Sequence, residues 1–198
     1  MRWLSAAALA LFALAGCSPE PASDAIEADT APAQGEFAEE PAEQPVPATD
    51  AQCSSGEQTI FSCKFASGKR ASVCVTEGDS GLAQYRFGSD GAAPELAWPA
   101  TPDAGKLAWA SVAYSGGGEA QISFARGNTR YIIYSRIIRT NFAAGEPNNP
   151  AIEDGVLVQV ADGETTDLRC ADANIAPVNV ELAEKYTARA DDLFTMSE

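Results

Sequence analysis

Histidine is absent from all 198 residues. Its absence excludes Ser-His-Asp and Cys-His nucleophile systems, a histidine general base, and any His-ligated zinc, copper or haem. Basic side chains are also scarce: 13 Lys and Arg stand against 28 Asp and Glu, a formal net charge of −15. Nucleic acid is therefore not an expected partner, because binding phosphate backbones takes concentrated Lys and Arg. Long apolar runs are missing too. Trp3 to Gly16 is an apolar stretch of only about 14 residues, short of the roughly 20 that a membrane-crossing helix needs.

That short run has another meaning. Met1-Arg2 gives a positive start and Trp3 to Leu14 an apolar core, the organisation of a secretory signal. Leu14-Ala15-Gly16-Cys17 then resembles the lipobox of bacterial lipoproteins. The resemblance implies cleavage before Cys17, a diacylglycerol on its thiol and an acylated amine, with several chains anchoring more stably than one. It further implies, because Ser18 and not Asp follows the cysteine, sorting to the outer membrane with the domain facing the periplasm. Residues 1–16 are thus expected to be a signal peptide.

Residues 18–52 hold six Pro, nine Ala and nine Asp or Glu, and no Lys or Arg. Their few large apolar side chains (Ile26, Phe37, Val46) cannot bury enough surface to offset ordering entropy, so 17–52 reads as a lipidated cysteine plus an extended acidic tether. Residues 53–198 carry 19 acidic and 12 basic side chains, so more than half of the net charge belongs to the tether.

From residue 53 onward turn signals recur at short spacing and the runs between them alternate, the pattern of an all-β antiparallel meander. Gly127-Asn128 as a two-residue turn pairs Phe124 with Tyr131, Ile122 with Ile133 and Glu119 with Arg136. Asp162-Gly163 would pair Leu157 with Leu168, and Asp90-Gly91 would pair Tyr85 with Leu96 and Ala83 with Trp98. Pro94 marks an edge or irregular strand there. Gly116-Gly117-Gly118 as a three-residue loop would pair Val112 with Ile122 and Tyr114 with Ala120, and Gly68-Lys69 joins a strand near 58–65 to one near 71–76. About nine short strands over 53–175 are enough to close a small barrel or form a sandwich. The C-terminal extension 176–198 is expected to be helical only at Val180 to Ala190, where Leu182, Tyr186 and Arg189 follow a helical spacing.

Lipidation of Cys17 leaves Cys53, Cys63, Cys74 and Cys170, an even set that an oxidising compartment would join as two disulfides, with three connectivities open. The Gly68-Lys69 register sets Cys63 opposite Cys74, which favours that bridge and leaves Cys53 for Cys170. A metal centre is not expected, since the cysteines lack a Cys-x-x-Cys pair and any histidine. No cofactor is implied.

Three segments qualify as candidate sites. Tyr114-Ser115-Gly116-Gly117-Gly118-Glu119 lacks the Lys-Ser/Thr of a phosphate-binding loop and reads as a hairpin turn. Thr140 to Gly155 carries Asn141, Glu146, Asn148, Asn149, Glu153 and Asp154, oxygen donors without EF-hand spacing, between Pro147 and Pro150. The third is the polar face of the central hairpin, which gathers Gln121, Arg130, Tyr134 and Arg136. The three-glycine register adds Trp109 opposite Ala125, although a one-residue slip would turn Trp109 inward. Rings beside guanidinium and amide groups suit a glycan, a peptide or a partner protein of the envelope.

Ile60-Phe61-Ser62-Cys63, Ser72-Val73-Cys74, Tyr85-Arg86-Phe87-Gly88 and Tyr114 to Ala120 are similar to small proteobacterial lipoproteins of unknown function, over roughly 57–170, a likeness that carries no activity. Lysozyme-inhibitor lipoproteins share the anchor, a small β barrel and disulfides. Their Ser-Gly-x-x-Tyr motif is not met, because Ser80-Gly81 is followed by tyrosine only at Tyr85. The expected function is accordingly a non-enzymatic, membrane-anchored β domain that binds a periplasmic partner. The alternatives are a lysozyme inhibitor and a hydrolase working with carboxylates alone.

Overall fold

Period-two alternation demands a surface to cover the apolar side of each strand, and in this protein two sheets cover each other. The computed structural model describes residues 50–78, 81–147, 149–161, 163–171 and 173–195; the signal segment, Cys17 and nearly all of the tether lie outside them. The smaller sheet contains, in order, β1 (Glu57–Lys64), β2 (Arg70–Thr76), β3 (Gln84–Gly88) and β4 (Leu96–Trp98). The larger has the order β10-β5-β6-β7-β8-β9, from β5 (Ala108–Tyr114), β6 (Gly117–Arg126), β7 (Thr129–Arg139), β8 (Pro150–Val160), β9 (Thr165–Arg169) and β10 (Ala188–Arg189). All pairs are antiparallel except β10 with β5. The described residues thus form a sandwich-like all-β fold with one short α-helix, and the barrel alternative is not what forms.

The inner face of the large sheet is a row that crosses five strands: Trp109, Ile122, Ile133, Val156 and Leu168. Phe61, Val73 and Tyr85 belong to the same core from the small sheet. Between them Trp98 stacks on Phe124 at 4.8 Å and Phe124 on Tyr131 at 4.7 Å, with Tyr85 at 5.1 Å from Phe124. Offset aromatic pairs of this kind add about 0.5–1.5 kcal/mol each beyond their burial.

The central hairpin has the register read from Gly127-Asn128, with Phe124 opposite Tyr131 and Ile122 opposite Ile133. Three other registers differ. At Asp90-Gly91 the slip is two residues, pairing Tyr85 with Trp98 and Phe87 with Leu96, so every side chain keeps its face. The β8–β9 ladder slips by one and sets Leu168 opposite Val156 rather than Leu157. In the β5–β6 hairpin the turn is Ser115-Gly116, so Trp109 lies opposite Ile122 instead of Ala125. Gly117 and Gly118 are strand residues, and a Cβ on Gly117 would fall 1.8 Å from the Ile137 carbonyl oxygen. The three glycines therefore serve one turn position and one close strand contact. The odd slip inverts β5, and Trp109 enters the core.

The cysteine pairing also differs: Cys53 joins Cys74, and Cys63 joins Cys170. Cys63 opposes Ala71, not Cys74, and a bulge at Ile60 then shifts the register so that Thr59 meets Cys74. Cys63 is part of the core with Ala71 and Val73, whereas Cys74 alternates with them and faces the other way. A direct Cys63–Cys74 bridge would have to pass through the sheet.

Beyond β9 the chain closes both sheets. Ala171 N–H donates to the Lys64 carbonyl, Ala176 and Ser62 exchange backbone bonds, and Asn179 N–H donates to Ile60, which occupies the free edge of β1. Helix α1 (Val180–Tyr186) follows, with the Asn179 side chain accepting from Leu182 N–H as its cap. It is shorter than the sequence suggested. Thr187 is extended, and β10 adds itself to β5 through Ala188 N–H to Leu107 O and Ala190 N–H to Trp109 O. No helix among the described residues is long and apolar enough to cross a membrane.

The Cys63–Cys170 bridge spans 107 residues of sequence and Cys53–Cys74 spans 21. Loop-closure entropy assigns about 5 kcal/mol to the first and about 3 kcal/mol to the second. Replacing both cysteines of Cys63–Cys170 by alanine should therefore lower the denaturant-unfolding free energy more than the same change at Cys53–Cys74. Equal losses, or the reverse order, would show that closure entropy is not what these bridges contribute.

Candidate interaction surface

The outer face of the large sheet starts from a glycine. Tyr134, Gly155 and Arg169 stand side by side on β7, β8 and β9. A Cβ on Gly155 would come within 2.8 Å of the Tyr134 hydroxyl, so its absence lets the phenol lie across β8. From there Tyr134 Oη donates to Asp167 Oδ1 at 2.8 Å. Burial, and then this hydrogen bond, push the phenol pKa upward, so Tyr134 stays a protonated donor.

Around that bond runs a chain of charges. Arg169 donates to Asp167 and to Glu153, each at 2.9 Å. Arg136 donates to Glu153 Oε2 at 2.8 Å through Nε and stacks its guanidinium 4.9 Å over the Tyr134 ring. Hydrogen bonds from Arg136 and Arg169 hold the Glu153 carboxyl below its ordinary value against a small opposing effect of burial. Glu119 stands opposite Arg136, as the hairpin register requires, yet Arg136 bonds to Glu153 on the neighbouring strand. Glu119 instead accepts from Gln121 Nε2 at 2.7 Å.

Gln121 does not face solvent. It is fully buried under the last described residues: Phe194 N–H and Thr195 N–H donate to its Oε1, and its Nε2 donates to Thr195 Oγ1. With Glu119 included, both donors and both acceptor positions of the amide are filled. Ala110, Ser123 and Ile132 are buried on the same face, and Leu193 in the crossing segment is buried as well. Of the residues expected to form a ligand-binding face, Tyr134 and Arg136 do adjoin, within a network that satisfies itself. Arg130 is exposed at the turn end of the sheet. Trp109 is 3% exposed, lies on the opposite face, and leaves its indole Nε1 without a hydrogen-bond partner among the described residues.

The oxygen-rich loop is shorter than its sequence implied. β7 runs to Arg139 and β8 begins at Pro150, so Glu153 and Asp154 are strand residues engaged by Arg136 and Ser135. Asn148 lies outside the described residues, among which no group of His, Cys, Asp or Glu could hold a metal ion.

What the sequence reading missed is the far end of the large sheet. Val112 and Tyr114 on the outer face, Ile137 opposite Ile152 on the inner face, and Phe142 in the connecting loop are all exposed, Phe142 at 75% and Ile152 at 70%. Within this tip Arg139 donates to the Asn141 carbonyl and covers the Phe142 ring at 5.2 Å. Alternation in Thr129–Arg139 and Pro150–Val160 was the available signal, since it continues past the point where the small sheet has partners to offer. A second feature is a cleft of about 220 Å³ between α1 and residues 81–83, whose lining among the described residues includes Lys106 and Lys185 and no carboxylate.

Gly155→Ala should expel Tyr134 from β8 and cost about 1–3 kcal/mol, and Tyr134→Phe alone about 1 kcal/mol. The added methyl would press on the Tyr134 hydroxyl and also, at 2.6 Å, on the Leu168 carbonyl oxygen, so the double variant should cost less than the sum of the two by the shared phenol contact alone, measured as a double-mutant cycle in urea. Additivity would separate Gly155 from the phenol. The carboxylates also set a pH dependence. Burial raises Glu57, but hydrogen bonds from Arg86 and Ser54 outweigh it, so Glu57 and Glu153 both titrate below their unfolded value of 4.5. Their contribution is therefore complete above about pH 4.5 and is lost as pH falls through the lower folded values. Glu153→Gln should flatten the fall of the unfolding midpoint on the acid side, and an unchanged slope would contradict this.

No family model matches the chain, and neither the curated proteins nor the solved structures give a match.

Proposed function

We propose that this chain is a lipid-anchored envelope lipoprotein of the outer membrane, presenting a non-enzymatic β domain that binds a partner in the periplasm. The observation that carries the reading is the division of the cysteines. The four in the domain are consumed by two disulfides, and Cys17, directly after the apolar run and Leu14-Ala15-Gly16, is the one left for acylation. Disulfides also suit the oxidising compartment into which such a signal delivers a protein. The partner, a protein or a glycan of the envelope, would meet the exposed apolar end of the large sheet around Ile137, Phe142 and Ile152.

A carboxylate-only hydrolase is the weaker alternative. A general acid needs a carboxyl with a raised pKa. The half-buried Glu57 and Glu153 are each held by arginine below the ordinary range, and Asp154 accepts from Ser135. The lysozyme-inhibitor alternative has no feature in its favour beyond the anchor and the disulfides.

In a bacterial host fed an alkyne fatty acid, the chain should take up label and sediment with membranes. Cys17→Ala should lose the label and leave the membrane fraction. Label retained in Cys17→Ala, or absent from the unaltered chain, would overturn the anchored reading.

A further inference from the structure

The large sheet has one edge that is only half closed. β10 pairs with Ala108 and Trp109 and goes no further, because the chain after Ala190 leaves the edge for the outer face. Beyond the buried Ala110, the last four residues of β5, Ser111-Val112-Ala113-Tyr114, are all exposed, and none is charged. Among the described residues no strand or loop pairs with them on that side. Leu107 and Trp109 accept from β10, so odd-numbered residues here turn their backbone groups toward the edge. By strand alternation Ser111 and Ala113 present two N–H donors and two C=O acceptors outward. Natural edges are normally blunted by charge, proline, a bulge or a covering segment. β9, the opposite edge, carries Asp167 and Arg169, and β1 is covered by residues 171–179. This stretch has none of these protections.

We propose that Ser111–Tyr114 pairs antiparallel with the same stretch of a second copy of this chain, joining two six-stranded sheets edge to edge. The inference does not rest on the lipid anchor. A two-fold axis at Val112 places Ser111 opposite Ala113 of the other copy, and the reverse, so all four outward groups of each copy are used in four hydrogen bonds. The length of the slot also favours a second copy over a long peptide. The slot is bounded at one end by β10 and at the other by the Ser115-Gly116 turn, after which the chain withdraws into β6. A strand that ends at Tyr114 reaches Ala110 of its partner, where the partner's chain leaves the edge at Ala190, so the slot has room for a strand that stops there and for none that continues. Val112, 38% exposed, meets its own symmetry mate on the axis as a close, non-hydrogen-bonded pair. Glu119 lies one strand further in on each side, so the two carboxylates stand about 14 Å apart, beyond a Debye length at physiological salt.

The test is sedimentation of the full chain in density-matched detergent across a concentration series. The protein mass should rise from one 20.6 kDa chain to two. Ala113→Pro removes an N–H that points outward and not into the β6 ladder, so it should keep the fold while lowering the association constant at least about tenfold. Val112→Lys, which puts like charges on the axis, should do the same if proline perturbs the strand. Val112→Cys should cross-link two chains under mild oxidation, at a Cα separation of about 4.5 Å. A single-chain mass at every concentration, dimers indifferent to both Ala113→Pro and Val112→Lys, or cross-linking no greater than that of Thr166→Cys on the other edge would overturn the proposal.

Discussion

Two sheets that share no strand must be held together by something other than a backbone ladder, and here the polypeptide after β9 supplies it. Cys170 fastens the end of the large sheet to Cys63 in the small one, and Ala171, Ala176 and Asn179 then hydrogen-bond along β1. Helix α1 contributes Ala183 to the core before β10 seals part of β5. A single strap thus occupies one edge of each sheet and then crosses the outer face to fill the amide of Gln121.

This dependence explains which parts of the fold were legible in sequence. A register follows from a turn when the turn chemistry has one solution and the pairs it creates agree. Gly127-Asn128 met both conditions, so every pair from Gly118 with Ile137 to Arg126 with Thr129 follows from it. Three consecutive glycines met neither. Any of them could have made the turn, and the choice between registers had to come from the partners. Trp109 opposite Ile122 matches two large apolar side chains, whereas opposite Ala125 it would meet only a methyl group. That comparison was available in the sequence and favours the register the structure adopts.

The cysteines and the polar face failed for a different reason, because each depends on a segment far away in sequence. Cys63 and Cys74 were set opposite one another by an assumed turn. A three-residue loop, Ala66 to Gly68, in place of the two-residue turn sets Cys63 opposite Ala71 and so puts Cys63 and Cys74 on opposite faces, where Cys170 and Cys53 reach them separately. Gln121 and Tyr134 do lie on one face, as their spacing requires. Nothing local to the hairpin reveals that Phe194 and Thr195 fold over Gln121, or that Gly155 opens a path from Tyr134 to Asp167. Period-two reasoning identifies a face and is silent about what covers it.

Once those covers are in place, the unmet interactions of the domain move to its periphery. Gln121 has used its full hydrogen-bonding capacity, Glu153 is shared by two arginines, and Tyr134 is committed to Asp167. Groups already satisfied within the fold gain little by exchanging partners, because each new bond replaces an old one. At the far end of the large sheet the balance is reversed. Ile137, Phe142 and Ile152 remain exposed, and among the described residues nothing pairs with the backbone of Ser111 and Ala113 on its outward side. Burying those groups removes apolar area from water and adds ladder bonds, with no internal contact given up in exchange. The end of the sheet that the core cannot cover is therefore where association changes the free energy most, and the two exposed features there, one apolar and one a bare strand edge, adjoin along the same sheet end.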